Sequence, residues 1–193
     1  MKKRIFALAV VMICTSILAS ATLAYFTDTG IARNVITTGR IEAHVVERQL
    51  EDGELVPYPD DPIPVMPGVT VSKIAMTQVA EGSAPAWIRM GYEVVIKDAD
   101  KRIMPHTQAQ LEELITIEPN QTHWIEQGGW YYYREAIEDG EVTEPLFREV
   151  KFSGPNMGNE YQNATIEILV VTQAVQQAHN GETVMEAQGW PED

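Results

Sequence analysis

The residue types that do chemistry are present in this chain, but not at the spacings that chemistry needs. Four histidines, His44, His106, His123 and His179, are scattered along 193 residues. No two stand at the i, i+4 separation of a helical metal pair, and there is no His-Glu-x-x-His run. Each reads as a surface or edge residue, so no metal site is expected. Ser72, Ser83 and Ser153 lack the Gly-x-Ser-x-Gly surroundings of an exposed nucleophile, and no Gly-x-x-x-x-Gly-Lys phosphate loop occurs. Asp98 and Asp100 open like a calcium loop, but its glycine and distal glutamate are missing, and a solvated turn is the better reading. Asn120-Gln121-Thr122 and Asn163-Ala164-Thr165 match the N-glycosylation pattern, which matters only in a host with that machinery. No catalytic constellation emerges, no cofactor is implied, and the chain is not expected to be an enzyme.

The densest chemistry is aromatic. Trp124, Trp130, Tyr131, Tyr132 and Tyr133 could form a sugar-binding platform. A cross-strand ladder in the core is the preferred reading, because aromatic pairs stabilise sheets. The elements that would position these residues are strands. His123–Glu126 and Trp130–Arg134 flank Gln127-Gly128-Gly129 as a hairpin. Arg40–Glu47 alternates apolar and polar for most of its length. Further strands are expected over Val69–Val79, Trp87–Ile96, Ile115–Glu118, Leu146–Phe152 and Ala164–Val171. In the Trp87–Ile96 strand, Ile88, Met90, Tyr92, Val94 and Ile96 share a face.

Thr107 with Gln110 forms a capping box, so a short helix is expected from there to Ile115. Residues 51–68 hold five prolines and five acids, which excludes helix and interior strand and predicts a surface loop. Residues 172–193 fit helix and strand equally. Short strands joined by Gly and Pro turns, with one or two short helices, predict an all-β antiparallel sandwich with a single core.

The chain start has a different logic. Lys2, Lys3 and Arg4 precede an uncharged stretch from Ile5 to Ala24, with small residues gathered at its end. Charge, apolar core and small-residue zone are the three parts of an export signal. Ile5 to Leu18 is too short for a membrane span of about 20 residues. Two cleavage points fit, after Ala21 or after Ala24. The membrane would be met only before cleavage. Loss of residues 1–24 removes three basic and no acidic side chains, taking the formal charge from −14 to −17. Such a chain is repelled by nucleic acid and by anionic membranes. The only cysteine, Cys14, lies within the signal, so the remaining chain has no thiol and must rest on its own core.

Thr22-Leu23-Ala24-Tyr25-Phe26-Thr27-Asp28, followed by Asn34 to Gly39 and a first strand, resembles the export signals of the TasA and camelysin (CalY) family of Gram-positive bacteria. Pro67-Gly68, Ala86-Trp87-Ile88-Arg89, Gly129 to Tyr133 and Gly140 to Phe147 also look like members of that family, in order along the chain. The resemblance implies cleavage between Ala24 and Tyr25, with Thr22 and Ala24 as the small recognition residues, by a SipW-type signal peptidase. It implies a jelly-roll-like sandwich over residues 25–193, secretion, and a role as a biofilm-matrix or cell-surface fibre subunit. The metalloprotease activity described for camelysin is not carried over, because no zinc motif is present.

An assembly route follows as an expectation. The freed segment Tyr25–Thr38 would pair as a strand with a sister molecule or a related matrix subunit. Tyr25, Phe26, Ile31, Val35 and Ile36 would act as its apolar anchors. The same segment is equally readable as a frayed terminus or as the sandwich's own first strand. A monomeric secreted binding module is the second functional reading, and a secreted metal-dependent hydrolase the last.

Overall fold

Period-two alternation decides the architecture. The computed structural model describes residues 40–59, 63 and 66–191, which lie within one compact unit, Gly39–Asp193. Nine strands form two antiparallel sheets among these residues. The first sheet contains β1 (Ala43–Glu51), β2 (Glu54–Pro57), β3 (Thr70–Val79), β5 (Ile115–Ile117) and β8 (Phe147–Phe152), in the order β2-β1-β3-β8-β5. The second contains β4 (Ala86–Lys97), β6 (Trp124–Gln127), β7 (Trp130–Tyr133) and β9 (Thr165–Gln176), in the order β6-β7-β4-β9. The chain is therefore an all-β sandwich. One short helix, α1 (Gln108–Leu114), precedes β5, and none among the described residues is long and apolar enough to cross a membrane.

The expected elements fall where the patterning put them. The capping box closes as anticipated: Thr107 Oγ1 accepts from Gln110 N at 3.3 Å, and Gln110 Oε1 accepts from Thr107 N at 2.8 Å. In β4, Ile88, Met90 and Ile96 are fully buried and face the other sheet's Phe147 and Val150. β9 runs in phase, with Ile166, Ile168, Val170 and Ala174 opposite Ile96, Val94, Tyr92 and Ile88. The aromatic hairpin turns at Gly128 and Gly129, whose φ of 62° and 82° suit a two-residue turn that only glycine adopts at little cost.

Two expectations need correction, the loop over residues 51–68 and the single core, and the open reading of residues 172–193 is resolved. Residues 51–68 are not loop throughout. β1 extends to Glu51, Asp52-Gly53 makes a tight hairpin with φ of 51° and 88°, and Glu54–Pro57 is an edge strand. Pro57 is tolerated because β2 has a neighbour on one side only. The stretch after residue 171 continues β9 to Gln176 and then folds back as turns. Those turns build a second, small core on the outer face of the second sheet, where Trp87 and Val175 meet Val184 and Ala187. Trp87 is too large and apolar to face water, so the chain returns to cover it.

Ile88 is fully buried, whereas Leu169 on the outer face of β9 is 49% exposed. Ile88→Ala is expected to cost about 3–4 kcal/mol and Leu169→Ala less than about 1 kcal/mol, measured by urea unfolding.

Candidate functional groove

The two sheets are closely joined at one end and parted at the other. At the closed end, Thr77 Oγ1 and Thr172 Oγ1 bridge them at 2.8 Å. Towards the start of β9 the sandwich opens into a groove of about 1070 Å3. Its walls are the Thr165–Leu169 half of β9, the segment around Tyr58 and Met66, and the turn at Met157–Asn163. Val71, Val150 and Phe152 form an apolar floor, with Ile166 and Ile168 on the β9 side. β9 is the last strand of its sheet, bonded to β4 alone among the described residues. The groove therefore runs along a strand edge whose outward N–H and C=O groups have no ladder to join. The lined stretch is on the order of 13 Å of strand, enough for four or five residues of a pairing chain.

One charge lies inside this apolar space. Lys73 is inward-facing on β3 and only 5% exposed. Its Nζ is 2.6 Å from Glu47 Oε1 on β1 and 4.0 Å from the centre of the Tyr58 ring. The neighbouring register slips between Ser72 and Ala75, where β3 passes β8. Burial, followed by the Glu47 carboxylate, pushes the Tyr58 hydroxyl up from its ordinary value, so it stays neutral. Across the groove, burial and then Glu160 do the same for Tyr161. The Tyr161 hydroxyl also lies 3.0 Å from His106 Nε2. The groove thus has an apolar floor, with neutral phenols, the Lys73–Glu47 pair and the polar side chains of Asn159, Gln162, Asn163 and Glu167 around it.

The residues singled out for cleavage and strand donation, Thr22, Ala24, Tyr25, Phe26, Ile31, Val35 and Ile36, lie outside the described residues. The aromatic set is divided by the strand period. Trp124 and Tyr133 are buried and meet edge to face at 4.9 Å, as a core ladder would. Trp130 and Tyr132 point to the opposite face, where Trp130 covers Gly91 so closely that a Cβ there would sit 3.3 Å from its ring. No single flat platform results. The histidines are not brought together: His44 pairs with Glu42, His106 sits between Met104 and Tyr161, and His123 stacks on Tyr133. Among the described residues, no three His, Asp or Glu side chains converge as a metal ion needs.

The sequence reading missed the groove and the Lys73–Glu47 pair. One signal was available: Lys73 interrupts the otherwise inward series Val71, Ala75, Thr77, Val79. Compared with family models, with curated proteins and with solved structures, the chain has no significant match in any of the three.

Removing one partner of a buried ion pair leaves the other charge uncompensated. Glu47→Ala is expected to destabilise the fold by about 2 kcal/mol, the side chain being partly solvated. Lys73→Met leaves behind the Glu47 carboxylate, which still reaches solvent, and is expected to cost less, within about 1 kcal/mol. Chemical denaturation of both variants checks the asymmetry.

Proposed function

We propose that this chain is an exported structural subunit, processed after Ala24 by a signal peptidase of the SipW type and assembled outside the cell into a matrix or surface fibre. The observation that carries this reading is the groove with an apolar floor along the edge of β9 that is bonded on one side only among the described residues. A strand edge with a hydrophobic slot beside it is the receptor half of a strand-addition contact. Main-chain bonds supply affinity there, and alternate side chains supply register. The donor half is the segment Tyr25–Thr38, with Phe26 and Ile36 on one face of an extended strand and Tyr25, Ile31 and Val35 on the other. Residues 1–24 hold that segment at the membrane until cleavage, which keeps assembly outside the cell. Donor and acceptor are different surfaces, so the contact is head-to-tail and propagates without closing. The resemblance to the TasA and camelysin family, and the jelly-roll-like sandwich it implies, agree with this role.

A monomeric secreted binding module is the second reading, favoured by a further cleft between the two sheets.

Chains beginning at Tyr25 and at Arg40 are to be compared by electron microscopy after circular dichroism confirms both are folded. The longer chain is expected to form fibres and the shorter none. A synthetic 25–38 peptide is expected to bind the shorter chain. Fibres formed equally by both would refute strand donation, and a longer chain that stays single at every concentration would favour the binding module.

A further inference from the structure

A second cleft, which shares the His106–Tyr161 contact with the groove as a wall, is built from different chemistry. It has a volume of about 640 Å3, within the range of sites that hold small ligands. Val94 and Ile96 of β4, Leu111 of α1, and Ile115 and Ile117 of β5 form an aliphatic floor. Ile103 stands at the rim, 67% exposed, held there by a bridge to Lys97 and by Met104 N donating to Ile96 O at 2.8 Å. The far end is polar. Tyr92 and Tyr131 stack with ring centres 5.7 Å apart and their hydroxyls 3.5 Å apart, and Glu93, Glu112 and Glu126 also line the cleft.

We propose that this cleft binds a primary alkylammonium group, the side chain of a lysine presented by a peptide, with the methylenes on the aliphatic floor and the charge among Glu112, Glu126 and the Tyr131 hydroxyl.

Three features select this ligand. The acidic end has no internal counter-ion. No Lys or Arg lines the cleft, Glu112 accepts only from Gln108 Nε2 at 3.0 Å, and Glu126 has no ion pair among the described residues. His106 does not fill the role, since its ring nitrogens face Met104 O and the Tyr161 hydroxyl. Glu126 and Tyr131 are also cross-strand partners in the β6–β7 hairpin, and Glu112 lines the same cleft. Burial first, then the Tyr92 hydroxyl, then Glu126 and Glu112 hold Tyr131 far above its ordinary value, so it keeps a neutral oxygen able to accept from an ammonium.

Finally, the alternatives fit less well. An anion is repelled. A sugar needs an open aromatic face, yet Tyr92 carries Tyr131 on one side and meets the edge of Phe147 at 5.5 Å. A divalent ion needs more converging carboxylates than the described residues bring together. A lysine side chain, apolar along its stem and charged at its tip, matches both ends. This site does not depend on the groove along β9.

Titration of the chain with N-acetyl-lysine methylamide, followed by amide NMR shifts, tests it. Saturable shifts at Ile103, Leu111 and Tyr131 are expected, with none from the norleucine analogue or from glucosamine, which lacks the alkyl stem. Glu112→Gln with Glu126→Gln should weaken binding roughly five- to tenfold. Glu51→Gln with Glu54→Gln, an equal charge change on the β1–β2 hairpin, should leave it unchanged. No saturable binding, equal binding of norleucine or glucosamine, or equal weakening by the hairpin variant would overturn the proposal.

Discussion

The pairing of β4 with β9 sets the terms for the rest of the molecule. It runs unbroken for the full length of both strands, from Ala86 opposite Gln176 to Lys97 opposite Thr165. Because both strands alternate in phase, one face of the ladder is committed to the core along its whole length, and a slip of one residue would turn Ile88, Met90 and Ile96 into water. The same ladder leaves β9 at the margin of its sheet. An unpaired edge of that length is a liability that proteins normally blunt. Here the edge lies beside a slot with an apolar floor, the two features on which the proposed strand addition rests.

The outer face of that ladder is treated unequally along its length. Near Trp87 the chain end returns and buries it. Arg89 lies between the rings of Trp130 and Trp190, at 4.2 and 4.9 Å, and donates to Gln173, Tyr132 and the Pro191 carbonyl. A guanidinium desolvated between two indoles and donating three hydrogen bonds ties the returning segment to the sheet without a disulfide. Further along, Leu169 and Val171 remain half exposed. The covered half is rigid by packing, and the uncovered half is the one whose edge borders the groove.

Much of the fold was legible because it rests on short-range signals. Alternation in β4, the diglycine turn and the Thr107–Gln110 box each fix one element through its own residues. The β1–β2 hairpin was missed although Asp52-Gly53 is a strong turn pair, because the prolines beyond it dominate the local composition. The return of residues 177–191 was not legible, because its apolar residues are few and gain meaning only from Trp87 and Val175 on a distant strand. Both clefts belong to this second kind. Their walls join residues from opposite sheets, and nothing in local spacing says that Lys73 meets Glu47 or that Tyr131 stands near Glu112.

The central claim is that the outward edge of β9 is the acceptor in assembly. Amide hydrogen exchange of Ile166 and Ile168, whose N–H groups point away from β4, compared before and after the processed chain assembles, tests it most directly. Rapid exchange in the single molecule, giving way to strong protection in the polymer, is the predicted result. Protection of these amides already in the single molecule, or exchange unchanged by assembly, would contradict it.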